Sequence, residues 1–142
     1  MTRVIFYSNL ADKNTTLLNL LQRALEKRNQ VTILTESEDA ASQLNTALWQ
    51  ANACSFYPNV LSNHALARNT PVLIDWQEKN LFQDDILINL TQHQLTAFSR
   101  FRQLVELVSK DEVDKTAARQ RFKFYRDRGY EIKHIEQTNV TH

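Results

Sequence analysis

The chain has 142 residues, 42% of them hydrophobic and 23% charged, and carries a net charge of +1. That length suits one domain, residues 1–142, with a single substantial core. The absence of any run of about twenty apolar residues excludes a membrane-spanning helix, and a lone cysteine, Cys54, excludes an internal disulfide.

In chain order, residues 3–8 read as a strand and not as a secretion signal. A helix is expected over 12–29, with Leu17, Leu18, Leu21, Ala24 and Leu25 on its buried side. Residues 31–35 form a short β-branched strand. Ser37 then caps a second helix running to about Gln50, with Glu38 and Asp39 in the first turn, where the helix dipole favours carboxylates. Its apolar side is Ala40, Ala41, Leu44, Ala47 and Leu48. Residues 51–71 are irregular. Residues 71–75 and 86–88 are apolar runs of the buried-strand type. The alternation around Val105 and Leu107 favours a strand within 100–109, and a last helix spans 111–128. Gly129 is placed to end it with a left-handed residue. Alternating strands and helices imply an α/β fold, a mostly parallel sheet flanked by about three helices. With one cysteine, the plain location is cytoplasmic. The Asn-x-Thr matches at Asn14, Asn89 and Asn139 then carry no weight as glycosylation sites.

Charge is concentrated in the last helix. From Lys115 to Lys133 there are seven basic and two acidic residues, a balance of +5, while the remainder has ten basic and fourteen acidic residues, a balance of −4. At about 100° per residue, Val113, Ala117, Phe124, Tyr125, Ala118 and Phe122 fall on one broad arc, interrupted by Arg121. Arg119, Lys123 and Arg126 share the adjoining arc, with Phe122 on the border. Like charges so spaced repel by a few tenths of a kcal/mol per pair. Cations beside rings suit an anionic partner with an apolar group. A solvated basic face is the plainer alternative.

Catalytic motifs are missing. The turn after the first strand reads Ser8-Asn9-Leu10-Ala11-Asp12, and Gly129 is the only glycine in the chain. Phosphate-binding loops need glycines so that backbone N–H groups can approach the phosphate, so no nucleotide cofactor is expected. His64, His93, His134 and His142 share no metal-ligand spacing with one another or with Cys54. Asp84-Asp85 reads as the start of a strand, and Asp75 as the end of one without identifiable partners. No enzyme, cofactor or metal is expected. Trp49, Phe56 and Tyr57 lie at and beyond the end of the second helix. Aromatics there either anchor a protein interface or plug the edge of the core.

Several segments together resemble one family over nearly the whole chain. They are Arg3-Val4-Ile5-Phe6-Tyr7, Ala47-Leu48-Trp49 with Ser55-Phe56-Tyr57-Pro58, Val72-Leu73-Ile74-Asp75-Trp76, and Asp84-Asp85-Ile86-Leu87-Ile88-Asn89-Leu90. The stretch from Ala117 through Arg119, Arg121 and Arg126 to Gly129-Tyr130 completes them. In order, spacing and total length they are similar to the chi subunits of bacterial DNA polymerase III holoenzyme. The resemblance implies a nucleotide-binding-like fold without a phosphate loop and a non-catalytic adaptor role. Partners so implied are the psi subunit, which ties chi to the clamp loader, and the acidic C-terminal tail of single-stranded DNA-binding protein. A helicase of the DNA-damage response is a further one, and DNA itself is reached indirectly. The family's tail-binding residues map onto Val108, Arg119, Phe122 and Lys123, with Arg126 beside them, and its psi-contacting aromatics onto Trp49 and Phe56. Related chains often have Tyr in place of Phe122, so a hydroxyl contact is lost here while the ring remains. The rival reading is direct nucleic-acid binding by the basic face.

Overall fold

The structure, a computed structural model, describes residues 2–50, 59–61, 72–77, 84–91, 95 and 97–136. Its elements are β1 (Arg3–Leu10), α1 (Lys13–Glu26), β2 (Val31–Leu34), α2 (Glu38–Gln50), β3 (Asn59–Leu61) and β4 (Val72–Asp75). They continue with β5 (Ile86–Asn89), a 3-10 turn (Ala97–Arg100), β6 (Gln103–Ser109), α3 (Glu112–Asp127) and β7 (Glu131–Glu136). The strands form one sheet in the order β3-β4-β2-β5-β6-β1-β7. Every pairing in it is parallel. The expected α/β architecture is therefore present, with three α-helices among the described residues.

Burial on both faces explains why the inner strands are mostly apolar: β2, β4 and β5 are buried at every position, with Thr32, Asp75 and Asn89 as their polar members. Strand alternation sends Ile33, Ile74, Ile88, Val105 and Leu107 toward one face, where Leu17 and Leu21 of α1 and Ala41 and Leu44 of α2 cover them. It sends Val4, Phe6, Leu34, Leu87, Leu104 and Val108 to the other face, against Ala118 and Tyr125 of α3.

Local chemistry sets the helix ends. Asp12 caps α1, its Oδ1 accepting from the Asn14 N–H at 3.0 Å and its Oδ2 from the Thr15 hydroxyl at 2.8 Å. Ser37 Oγ accepts from the Ala40 N–H at 3.1 Å, as a cap of α2 should. α1 stops three residues short of the expected Asn29, because Arg28 turns left-handed at φ 60° and the Asn29 N–H closes on the Ala24 carbonyl at 2.8 Å. α3 ends the same way: Gly129 has φ 82° and the Tyr130 N–H donates to the Tyr125 carbonyl at 3.1 Å.

Some expected faces are corrected. Val113 is 62% exposed, and Ala47 is exposed as well. The stripe of α3 that enters the core is Asp114, Ala118, Arg121 and Tyr125, at i, i+4, i+7 and i+11, so the apolar arc turns out to be half charged. Residues 97–100 form the 3-10 turn ahead of β6, while β3 and β7 were not expected as strands. Cys54, Phe56, Tyr57, His64, His93 and His142 lie outside the described residues, as do the side chains of Leu25, Leu48 and Trp49.

The connections place a cleft. The chain leaves β1 through α1 on one face and leaves β6 through α3 on the other, crossing β1 to reach β7. β1 and β6 are neighbours, so the two connections diverge between them. Ligands of open parallel sheets bind at such a switch point, beyond the carboxyl ends of the strands.

Candidate functional site

A cavity of about 440 Å³ opens there. Phe6, Ser8 and Asn9 of β1, Val108 of β6, and His134 and Glu136 of β7 form its floor and one wall. Lys115, Ala118, Arg119 and Phe122 of α3 form the opposite wall. Asn9 holds φ 59° where the register of β1 against β6 slips between Tyr7 and Leu10. This is the position of a phosphate loop in nucleotide-binding relatives of the fold, and here an asparagine takes the left-handed turn that glycine usually takes.

The apolar part is a ring stack on a buried valine. Phe122 meets Phe6 at 5.4 Å between centroids and 56°, and Phe6 meets Tyr125 at 6.0 Å. Val108 is 3% exposed beneath them, while Phe122 is half-buried and presents the rest of its ring to the cavity.

The positive segment is less uniform than its sequence suggests. Arg121 is fully buried, its Nε donating to Glu106 Oε1 at 3.1 Å. Glu106 also accepts from the Tyr125 hydroxyl at 2.7 Å and from Asn89 Nδ2 at 3.0 Å. Burial pushes its carboxyl above the ordinary 4.5, while Arg121, Tyr125 and Asn89 pull the other way. This cation therefore belongs to the core. Arg126 is 3.5 Å from Asp127, Lys115 is 3.8 Å from Glu112, and Arg128 stacks on Phe124 at 4.2 Å. Arg119 and Lys123 are exposed and make no ion pair among the described residues.

A second buried carboxylate anchors the start of α3. Asp114 Oδ2 accepts from the Ser109 N–H at 2.8 Å and pairs with Lys13 Nζ at 2.9 Å, joining α3 to the first turn of α1. Burial works to raise its pKa, but the bonds from Lys13 and Ser109 outweigh it and hold the carboxyl below the ordinary 3.8.

Of the residues singled out in the sequence, Val108, Arg119 and Phe122 share the cavity. Lys123 and Arg126 follow Arg119 along the exposed face of α3 and do not line it. Trp49 lies near the C-terminal end of α2, which packs on β3 and β4 at the opposite edge of the sheet. Asp75 is structural: its Oδ1 accepts from the Trp76 and Gln77 N–H groups at 2.7 and 3.1 Å. Asp85 ties Gln30 and Arg102 together. Among the described residues no cluster of His, Cys, Asp and Glu could hold a metal ion, and no helix is long and apolar enough to cross a membrane. Ser8, Asn9, His134 and Glu136 were missed as site residues. The switch-point rule points to the ends of β1 and β6, but β7 was not legible as their neighbour.

The arrangement is a parallel α/β fold whose switch-point cleft is lined by rings and cations where nucleotide-binding folds carry a glycine loop. Comparison with known proteins gives the family. Residues 1–133 match the family described as DNA polymerase III chi subunit, HolC. The chain belongs to that family. It is 38% identical to DNA polymerase III subunit chi of Haemophilus influenzae over 80% of each chain. Against the Pseudomonas aeruginosa subunit it is 31% identical over 94% of this chain and 95% of that one. The Escherichia coli subunit is 34% identical over 72% of this chain and 71% of its own.

Proposed function

We propose that the chain is a non-catalytic adaptor of the replisome, joining the clamp loader, through the psi subunit, to the acidic C-terminal tail of single-stranded DNA-binding protein. The observation that carries this reading is the cavity: Val108, Phe6 and Phe122 make an apolar pit with Arg119 and Lys115 at its rim. A tail of several aspartates ending in a hydrophobic residue needs that combination. A guanidinium suits its terminal carboxylate, further cations suit its acids, and a ring-lined socket suits the last side chain. Lys123 and Arg126 extend the cationic track along α3. Trp49 and Phe56 supply the second surface, for psi or for a helicase competing with it. Neighbouring strands lie about 4.8 Å apart, so β4 and β1, four places apart in the sheet, are separated by roughly 20 Å, and one chain can hold both partners.

The test uses single-stranded DNA in three forms: bare, coated with the full binding protein, and coated with a version lacking its tail. At physiological salt the purified chain should associate with the second only. Equal binding to bare DNA would make the basic face a phosphate reader and overturn the reading.

A further inference from the structure

The tail-binding reading uses the α3 wall and the apolar floor of the cavity, and leaves the β7 wall without a role. There the Ser8 hydroxyl lies 2.6 Å from Nε2 of His134. The imidazole also meets the Phe122 ring edge-on, at 6.4 Å between centroids and 66°. His134 is otherwise exposed, and its second ring nitrogen, Nδ1, has no hydrogen-bond partner among the described residues. A surface histidine oriented by a hydroxyl on one side and a ring on the other presents a fixed polar atom to whatever enters.

The charges around it set what that ligand can be. Across the cavity α3 contributes Lys115 and Arg119, and β7 contributes Glu136 two residues along. Alternation puts Glu131 and Lys133 on the opposite face of β7. β1 contributes Ser8 and Asn9, and β6 contributes Val108, all uncharged. The α3 wall facing it is cationic through Arg119 and Lys115, the latter also 3.8 Å from Glu112. A ligand rich in carboxylates brings negative charge against the imidazole and favours its protonated form, in which both nitrogens donate.

We infer that His134, oriented by Ser8, contacts the ligand by donating to a carboxylate of the acidic peptide seated in the cavity, and that binding draws a proton onto the ring. The inference deepens the tail-binding reading and rests on it. Histidine changes charge between pH 5 and 8, a range in which aspartate carboxylates stay ionised, so the peptide should bind more tightly as pH falls.

The probe is a fluorescein-labelled acidic peptide ending in Phe with a free carboxylate, titrated at pH 7.5 and 5.5 into wild type, His134→Gln and Arg119→Ala. Wild type should tighten roughly fivefold at the lower pH, the scale of one added surface charge pair. His134→Gln should still bind but with a flat pH profile, because glutamine can keep a bond to Ser8 and cannot gain charge. A His134→Gln profile parallel to that of wild type overturns the inference. Tail binding survives that result if Arg119→Ala still loses affinity. No binding by wild type at either pH overturns both.

Discussion

Arg121 Nε sits 3.1 Å from Glu106 Oε1, and the two side chains are 2% and 0% exposed. The strongest cationic segment of the sequence thus donates one of its charges to the interior, where it joins α3 to β6. Removing one partner of a buried ion pair leaves the other charge uncompensated, at a cost of about 3–5 kcal/mol, whereas replacing both with apolar residues is often close to neutral. Glu106→Gln should therefore lower stability by about that amount, and Glu106→Leu combined with Arg121→Met should recover only part of it, because the Tyr125 hydroxyl and Asn89 Nδ2 then lose their shared acceptor. Chemical denaturation of the variants decides the point. Wild-type stability in Glu106→Gln would mean that the guanidinium does not depend on this carboxylate.

What could be read from the sequence follows from burial. β2, β4 and β5 are enclosed on both faces, so their residues are apolar but for Thr32, Asp75 and Asn89, and the segments stand out without any partner in view. β7 is an edge strand, and its Glu-Ile-Lys-His-Ile-Glu alternation, mostly exposed, resembles a solvated loop. β3 has three residues and lies inside an irregular stretch. Glu106 and Arg121 could not be paired from sequence, since a charged residue on an apolar stripe is ordinarily solvated and the partner lies on another element. Val108, Arg119 and Phe122 stood out through the charge pattern and the family resemblance. Ser8 and His134 join them through strand register alone.

Asp114 gives acid pH a specific route into the fold. Its folded-state pKa is depressed below 3.8 by the bonds from Lys13 and Ser109, against the opposing push of burial. A depressed carboxylate contributes stability that is fully present above its unfolded value and is lost as pH falls through the folded one. Wild type should lose melting temperature more steeply below about pH 4 than Asp114→Asn, whose starting value at pH 7 should be lower. Parallel melting curves across pH 2–7 would show that this carboxylate makes no such contribution.

The cavity and the exposed track of α3 should contribute unequally to peptide affinity. Arg119 lines the cavity, and losing a hydrogen bond to a charged group there should weaken binding about tenfold to hundredfold. Lys123 and Arg126 lie outside it, so Lys123→Ala and Arg126→Ala should each cost roughly twofold to fivefold, with an effect that fades as salt rises. Titrations of the labelled peptide at low and high salt separate the two classes. Equal, salt-sensitive losses at all three positions would describe a diffuse basic face without a socket.

The last prediction concerns the far edge of the sheet. α2 packs on β3 and β4, away from β1, β6 and β7, so a surface built on Trp49 and Phe56 should act independently of Arg119. Each aromatic at an interface hot spot is worth upwards of about 2 kcal/mol of binding, and the Trp49→Ala, Phe56→Ala double variant should lose the psi subunit while keeping the acidic peptide. Arg119→Ala should show the reverse. Rings that instead plug the core would each remove about 3–5 kcal/mol of stability on truncation, with both partners lost together. Melting curves run beside the two binding assays distinguish the outcomes, and a large fall in melting temperature with joint loss would return Trp49 and Phe56 to the core.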